Sequence, residues 1–170
     1  MKQLLVIIIG AILVSLFVNK NDYVMIPSTS IRMRVIAASN SKQDQNDKII
    51  VKSALEETIK DWSNFSNYDE VDNYFKDNKQ NIDSKIKDIV KKSNQKISFT
   101  SNYGYNYFPE KEFNRVLYPS GYYKSYVITI GNGEGENWWC VMFPPLCLID
   151  SNNDEYTYRS LIKDVLTQYN

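Results

Sequence analysis

The sequence predicts an α+β fold, a small antiparallel or mixed β-sheet covered on one face by amphipathic helices and preceded by an N-terminal hydrophobic export or anchor helix. Three observations lead to this prediction. An apolar run opens the chain, an alternating segment then precedes a long stretch of helical periodicity, and β-branched and aromatic segments come before a last helical pattern. With 43% hydrophobic and 24% charged residues in a total of 170, the chain has the composition of a folded protein.

The first residues have the layout of a secretory signal. Lys2 precedes an apolar run over residues 4–18. A helix over this run would be ~22 Å long, short of a hydrocarbon core of ~30 Å. Because no small-x-small cleavage site follows, residues 1–19 are interpreted as a signal peptide cut at an unobvious position or as a short membrane anchor. A buried core helix is the remaining alternative.

A linker, a strand and a helix are predicted next. Residues 20–30 are polar and are interpreted as the linker, which leaves residues 31–170 as one domain outside the cytoplasm. Apolar residues at 31, 33 and 35 alternate with Arg32 and Arg34, which predicts a half-buried strand. Ser41 and its neighbours offer N-cap chemistry, and apolar residues recur at helical spacing over residues 43–62.

The rest of the chain alternates between helical and extended patterns. Helical spacing resumes at Val71 and predicts one long or two short helices up to about Lys92. A turn signal stands at residues 119–121. The predicted elements that remain are a strand at 97–100, an ambiguous segment at 105–115, a strand at 122–130 and an amphipathic helix at 158–169.

Charge and composition exclude several classes of function. The chain has 20 basic and 20 acidic residues, whereas a nucleic-acid binder usually carries a basic excess. It has no histidine, which excludes Ser–His–Asp and Cys–His catalysis and histidine-based zinc sites. Lysine, tyrosine or carboxylate chemistry stays open, but no pairing at diagnostic spacing stands out. The sequence predicts no metal, no cofactor, no small-molecule substrate and no nucleic-acid partner.

Residues 131–147 are the most distinctive segment. Glycines at alternate positions are followed by two tryptophans and a Cys-x6-Cys pair that encloses two prolines. The glycine spacing fits no phosphate-binding motif, and Glu134 and Glu136 would repel a phosphate, so a loop between strands is the better interpretation.

The adjacent tryptophans Trp138 and Trp139 would point to opposite faces of a strand. One of them could then enter the core while the other lies on a surface or in a groove, where tryptophan commonly contributes to binding. The alternative is that both are packed in the interior.

Cys140 and Cys147 are the only cysteines, and an even number in an oxidising compartment favours a disulfide. Such a bridge would contribute roughly 2–3 kcal/mol in the chain-entropy model. Two buried free thiols are the alternative. A catalytic cysteine is poorly supported, since no histidine is present to activate it.

Three segments together resemble the stage II sporulation protein R family of endospore-forming bacteria. The most specific is Gly-x-Gly-x-Gly-x-Asn-Trp-Trp-Cys-Val-Met-Phe-Pro-Pro-Leu-Cys-Leu-Ile-Asp, which ends at Asp150. The others are residues 31–45, beginning Ile-Arg-Met-Arg-Val-Ile-Ala-Ala-Ser, and Tyr-Pro-Ser-Gly-Tyr at 118–122. One departure is Asn40, where the family pattern would lead us to expect an aspartate.

The resemblance implies a signal rather than an enzyme. Proteins of this family are exported from the forespore towards the space between the two sporulating cells. There they activate a membrane-embedded aspartic-type protease of the mother cell, which removes the pro-sequence of sigma-E. The resemblance thus implies this protease as protein partner, contact with the membrane through the N-terminal segment, and a location at the forespore membrane or in the intermembrane space.

Two groups of residues are the candidate contacts with that partner. The first is a rigid apolar knob held by a bridge between Cys140 and Cys147, and Arg32 and Arg34 are the second if they share its face. The knob consists of Trp138, Trp139, Phe143, Pro144 and Pro145. A competing hypothesis is a cell-envelope binding module, for example a glycan binder that uses tryptophan and some of its 13 tyrosines as stacking platforms.

Overall fold

The computed structural model describes residues 23–60, 64–93, 96–149 and 152–169. The predicted export or anchor segment at residues 1–19 lies outside this part of the chain. Within it, no helix combines the length and apolar character needed to cross a membrane. The division of the chain into leader, linker and domain therefore stays a prediction.

Helix α1, Lys42–Thr58, begins where the sequence predicts it. The Ser41 side chain accepts a hydrogen bond from the backbone N–H of Asp44 and caps the first turn. The helix ends earlier than predicted, since Ile59 leaves helical geometry at φ −109° and ψ 14°. Residues 61 and 62 of the predicted helix lie outside the described part of the chain.

Helix α2, Tyr68–Lys92, is a single helix of 25 residues, which decides between the two predicted alternatives. Asn67 caps it, accepting a hydrogen bond from the N–H of Glu70. Its buried side chains recur at helical spacing and form one apolar stripe. They are Val71, Phe75, Ile82, Ile86 and Val90.

A four-stranded mixed sheet is the centre of the fold, as the sequence predicts. Its strands are β2 (Ile31–Ile36), β3 (Phe99–Phe108), β6 (Gly121–Ile130) and β7 (Asn137–Phe143), in the order β3-β6-β2-β7. Strand β2 runs parallel to β6 and antiparallel to β7, and β3 pairs antiparallel with β6 along ten residue positions. Strand β3 is longer than the predicted one at 97–100 because it pairs with β6 as far as the partners Phe108 and Gly121.

The glycine-rich segment connects β6 to β7, as predicted. Gly133 has φ +69°, and a Cβ there would lie 2.6 Å from the Cγ2 atom of Thr129, so this turn requires glycine. The backbone N–H of Gly135 donates to the carbonyl of Ala37 at 2.9 Å. This bond joins the connection to the end of β2.

A second, three-stranded sheet is not predicted by the sequence. It consists of β1 (Val24–Met25), β4 (Lys111–Phe113) and β5 (Val116–Tyr118), in the order β1-β5-β4. Strands β4 and β5 form within or beside the segment that was ambiguous in sequence. Strand β1 lies in the segment interpreted as a linker, where it pairs in parallel with β5 and buries Val24.

The helices cover both faces of the four-stranded sheet, whereas the alternation of patterns in the sequence predicted one covered face. Helices α1 and α2 pack on the face that carries Ile31, Met33 and Val35. The small sheet and the closing helix α3, Glu155–Gln168, pack on the opposite face. Val141 of β7 belongs to this second core, together with Tyr158 and Ile162 of α3.

Two aspartates of α2 join that helix to the sheet. Asp72 accepts hydrogen bonds from the Tyr103 hydroxyl at 2.7 Å and from the Lys124 ammonium at 3.0 Å. Asp83 accepts from the ammonium of Lys79 and from two hydroxyls of the sheet, those of Ser101 and Tyr126. Burial acts to raise the pKa of each carboxyl group, but these hydrogen bonds outweigh it, and both pKa values lie below the usual range.

Candidate partner-binding site

Strand β7 is an edge strand and carries the tryptophan pair. It is bonded to β2 on one side, and no described strand pairs with its other side. The backbone N–H and C=O groups on the outer side of an edge strand can pair with another chain. Pro144 and Pro145 follow the strand directly, and proline cannot donate to a strand ladder, so the edge ends there.

The two tryptophans lie on opposite faces of the sheet, as the alternation predicts. Trp138 packs against the helix-covered core, and the Lys52 ammonium of α1 lies 5.2 Å from the centre of its ring. Trp139 lies on the other face, with its ring centre 5.4 Å from that of Phe108 and 5.3 Å from the Lys111 ammonium. Both side chains are half-buried. Each indole therefore keeps some exposed surface with a lysine above it.

The predicted disulfide between Cys140 and Cys147 is confirmed, with the two Cα atoms 5.4 Å apart. It holds the short 3-10 turn Leu146–Leu148 against β7. Pro144 is buried, and the Phe143 ring packs edge-on against Tyr169 at 5.3 Å. Phe143 and Pro144 are thus packed within the fold, and the tryptophans face opposite ways. The residues predicted as one apolar knob do not form a single exposed surface.

Arg32 and Arg34 share one face of β2, the face opposite the two long helices. Arg32 is only 2% exposed, because aromatic rings of β3 and β6 cover it, and so it is not a surface contact in this structure. Its guanidinium carbon lies 3.4 Å from the centre of the Tyr123 ring, and its Nε donates to the Ser30 hydroxyl at 3.2 Å.

Neither arginine has a carboxylate partner among the described residues. The Nη2 of Arg32 and the Nε of Arg34 are buried without a hydrogen-bond acceptor in the described part of the chain. Arg34 donates through Nη1 to the carbonyl of Tyr107 at 3.3 Å and lies 4.7 Å from the Phe108 ring centre. Burial lowers the pKa of both guanidinium groups below the ordinary value. These cations are balanced by aromatic faces rather than by anions.

A cavity of about 360 Å³ runs along the outer edge of β7. Five consecutive residues of the strand, 137–141, line it. The small sheet, the segment around the 3-10 turn and α3 also contribute to the lining, through Phe113, Tyr118, Leu146, Cys147, Ile149 and Tyr158. Lys52 and Glu56 of α1 lie on one side of this groove, and Phe108 and Lys111 lie on the other. Arg32 also lines it. We call this cavity the β7 groove.

The charged groups of the β7 groove favour an anionic ligand. Glu56 is its only described carboxylate and is paired with Lys52 at 2.9 Å, which leaves Lys111 and Arg32 without an anion. The buried Trp139 Nε1–H also has no acceptor among the described residues. The hydroxyls of Tyr118 and Tyr158 bond to one another at 2.9 Å, and burial raises the pKa of Tyr118, so the Tyr118 hydroxyl supplies no negative charge near pH 7.

Metal ligation has no support in the described residues, where no cluster of three or more Cys, Asp or Glu side chains could hold an ion. The features of the site are an open strand edge, two indoles and unpaired cations. This arrangement is suited to binding an extended chain that carries negative charge.

The sequence indicates only part of this site. It points to Trp138, Trp139 and the bridge, but not to Phe108, Lys111 or Lys52, which reach the groove from other elements. Lys111 stands in the segment that was ambiguous in sequence, and Lys52 has the spacing of an ordinary exposed helix lysine. No local signal identifies either of them.

Comparison with known proteins agrees with the resemblance carried by the motif. The family described as Stage II sporulation protein R (spore_II_R) matches residues 27–153. Stage II sporulation protein R of Bacillus subtilis (strain 168) is 35% identical over 138 residues, which is 81% of this chain. The matched region spans 62% of the length of that relative. No solved structure matches the chain. The chain belongs to the stage II sporulation protein R family.

Proposed function

We propose that this protein is a non-enzymatic signal of sporulation, exported from the forespore, that activates the mother-cell membrane protease responsible for processing pro-sigma-E. Membership of the stage II sporulation protein R family is the observation that carries the proposal. The protein would act outside the cytoplasm, in the intermembrane space or held at the forespore membrane by its N-terminal segment.

Two features of the structure support an extracytoplasmic binding role. The Cys140–Cys147 bridge is of the kind that persists in an oxidising compartment. The β7 groove combines an open strand edge with exposed parts of two tryptophans, the residue type most enriched among binding hot spots.

The ionisable groups support binding rather than catalysis. Asp72 and Asp83, whose pKa values are lowered, are engaged in the contact between α2 and the sheet rather than in the groove. The one described carboxylate of the groove, Glu56, is partnered by Lys52. A general acid or base would need a pKa near the working pH and access to a substrate.

Co-expression in a non-sporulating host tests the proposal. The host would carry the cognate protease, its sigma-factor precursor and either the full chain or a form without residues 1–20. We expect shortening of the precursor only with the exported form, because the signal must reach the protease from outside the cytoplasm. Immunoblots of the precursor give the readout, and a catalytically inactive protease is the control. Exported, folded protein without any processing would contradict the proposal.

A cell-envelope binding module is the second candidate, and a cluster of exposed tyrosines favours it. Tyr105, Tyr107 and Tyr122 are 68%, 51% and 71% exposed, and the ring centres of Tyr107 and Tyr122 lie 5.6 Å apart. Such rings can stack against sugars. Titration with peptidoglycan fragments, compared with a Tyr107→Ser/Tyr122→Ser variant, decides between the candidates. Saturable binding that this variant loses would favour the envelope module.

A further inference from the structure

We propose that the free edge of β7 binds an extended, acidic segment of a partner protein, which adds to the four-stranded sheet as a fifth strand. The inference deepens the proposed function and rests on it for the kind of partner, a protein. It adds the docking element, the backbone geometry and the charge of the bound segment.

The backbone of β7 sets the geometry. Residues 137–141 line the β7 groove in sequence, and the outer side of the strand has no described strand beside it. The Cys140–Cys147 bridge holds the 3-10 turn beside Cys140 and Val141, with the Cys147 sulfur 3.1 Å from the Val141 carbonyl oxygen, and this turn ends the free edge on one side. The connection through Gly135 ends it on the other. At ~3.3 Å per residue, residues 137–139 present an edge of roughly 10 Å, enough to pair with about three residues of an added strand.

The side chains beside the edge supply two different walls. One wall carries Trp138 with the Lys52 ammonium over its ring, and the other carries Trp139 with Lys111 over its ring. Successive side chains of an added strand point to opposite faces of the sheet. Alternate residues of the bound segment would therefore meet the two tryptophans in turn.

The charge of the groove selects an acidic segment. Arg32, Lys52 and Lys111 line it against a single described carboxylate, that of Glu56. Arg32 is only 2% exposed, and its Nη2 has no acceptor among the described residues. An added carboxylate on the Trp139 side would lie beside the Lys111 ammonium, where the buried Trp139 Nε1–H also has no acceptor among the described residues. Buried donors without an acceptor are energetically unfavourable, so an anion is preferred here over a cation.

A random octapeptide library tests the proposal without assuming which protein is the partner. The probe is displayed on phage and selected on the full chain held in lipid nanodiscs, and enriched peptides are then synthesised. We expect enrichment of peptides with Asp or Glu among apolar residues. Amidation of the peptide C-terminus, and separately Asp→Asn and Glu→Gln replacement, shows whether the carboxylate is terminal or on a side chain. Enrichment of basic peptides, or of none, would overturn the proposal.

Binding of the selected peptide is then measured by tryptophan fluorescence on variants with opposite charge. Lys111→Glu should weaken binding roughly tenfold, since it replaces an unpaired cation beside the bound carboxylate. Lys85→Glu is the matched control, because Lys85 is an exposed lysine of α2 outside the groove. Circular dichroism verifies that both variants are folded. Equal affinity for both variants would place the peptide elsewhere and reject the groove.

Alternate N-methylation of the peptide tests strand addition itself. In an added strand only every second N–H faces β7, so methylation in one register should abolish binding and in the other leave it nearly unchanged. Equal tolerance of both registers would reject the fifth strand. If a peptide passes these tests but the co-expression assay shows no processing, the groove is still a peptide-binding site and the protease is not its partner. Processing that survives Lys111→Glu unchanged would retain the proposed function and reject the groove.

Discussion

The two faces of the four-stranded sheet differ in how their charged side chains are paired. On the face covered by α1 and α2, the two aspartates of α2 that bond to the sheet each have a cationic partner, Asp72 with Lys124 at 3.0 Å and Asp83 with Lys79 at 2.8 Å. On the other face, Arg32 and Arg34 lie among aromatic rings with no described carboxylate beside them. The first face is a closed core except at Trp138 and Lys52, which form one wall of the β7 groove, and the second face carries the other wall.

This difference suggests that one face mainly stabilises the fold and the other mainly binds a partner. Satisfied polar groups and close-packed aliphatic side chains fix one arrangement of helices on the sheet. Cations whose hydrogen-bonding capacity is incompletely used leave that capacity for a ligand. We therefore expect substitutions on the helix-covered face to change mainly the free energy of unfolding, and those on the other face to change mainly binding.

The largest effect is expected for Phe75→Ala, at the centre of the helix-covered core. Phe75 is fully buried and packs on Tyr103 and Tyr126, at 5.7 and 5.8 Å between ring centres. We expect a loss of about 3–5 kcal/mol in the free energy of unfolding, measured by urea denaturation. Phe113→Ala, at a half-buried ring of the opposite face, should lose less. Equal losses would contradict the difference between the faces.

Removal of the disulfide should have the next largest effect. The Cys140→Ser/Cys147→Ser variant loses a short covalent loop beside β7, which in the chain-entropy model lowers the free energy of unfolding by roughly 2–3 kcal/mol. Urea denaturation under oxidising conditions measures the loss. Wild-type protein with a reducing agent should match the variant, and a variant as stable as the oxidised protein would show that the bridge does not stabilise the fold.

Asp83→Asn tests the polar contacts of the helix-covered face. It replaces a carboxylate that accepts from Lys79, Ser101 and Tyr126, and a loss of roughly 1–3 kcal/mol is expected at pH 7. The pKa of Asp83 is lowered in the folded protein. Its contribution to the free energy of unfolding is therefore fully present above the pKa that Asp83 has in the unfolded chain, ~3.9, and is lost as pH falls through its lower pKa in the folded protein.

Stability measured between pH 3 and pH 7 checks this sign. The difference between wild type and Asp83→Asn should be constant above about pH 5 and shrink at lower pH. A difference that grew on acidification would mean that the folded state raises the pKa of this carboxyl group, against the hydrogen bonds around it.

Arg32→Met should have the smallest effect on stability. Methionine approaches the length of the arginine side chain and removes a buried charge that has no described anionic partner, so the free energy of unfolding should change by less than about 1.5 kcal/mol in either direction. The same variant should weaken binding of an acidic peptide in the β7 groove. Strong destabilisation would show that the aromatic contacts and the bond to Ser30 matter more than the missing carboxylate.

The local elements could be predicted where one short pattern decides them. Ser41 caps α1, alternation marks β2, and the tryptophan pair faces both ways because side chains alternate along any strand. The bridge could be predicted from the number of cysteines and the compartment. The motif around Trp138 was specific enough to indicate the family.

The tertiary environment of these residues could not be predicted. Alternating arginines in β2 normally mark a solvent-facing side, yet Arg32 is buried because Phe108 and Tyr123 cover it from distant parts of the chain. The small sheet has strands of two or three residues, too short for a periodic signal. Its existence depends on β1 meeting β5, a pairing of residues more than ninety positions apart such as Val24 and Val116.

The pairing of β1 with β5 also limits how far the domain can travel if residues 1–19 remain in a membrane. A free linker up to Ser30 could extend by roughly 40 Å at ~3.5 Å per residue, whereas a chain held from Val24 onwards allows only about 17 Å. A retained leader would then be a short tether, and the domain would reach only receptors close to its own bilayer. A cleaved leader would instead release a diffusible messenger that could cross the whole gap between two cells.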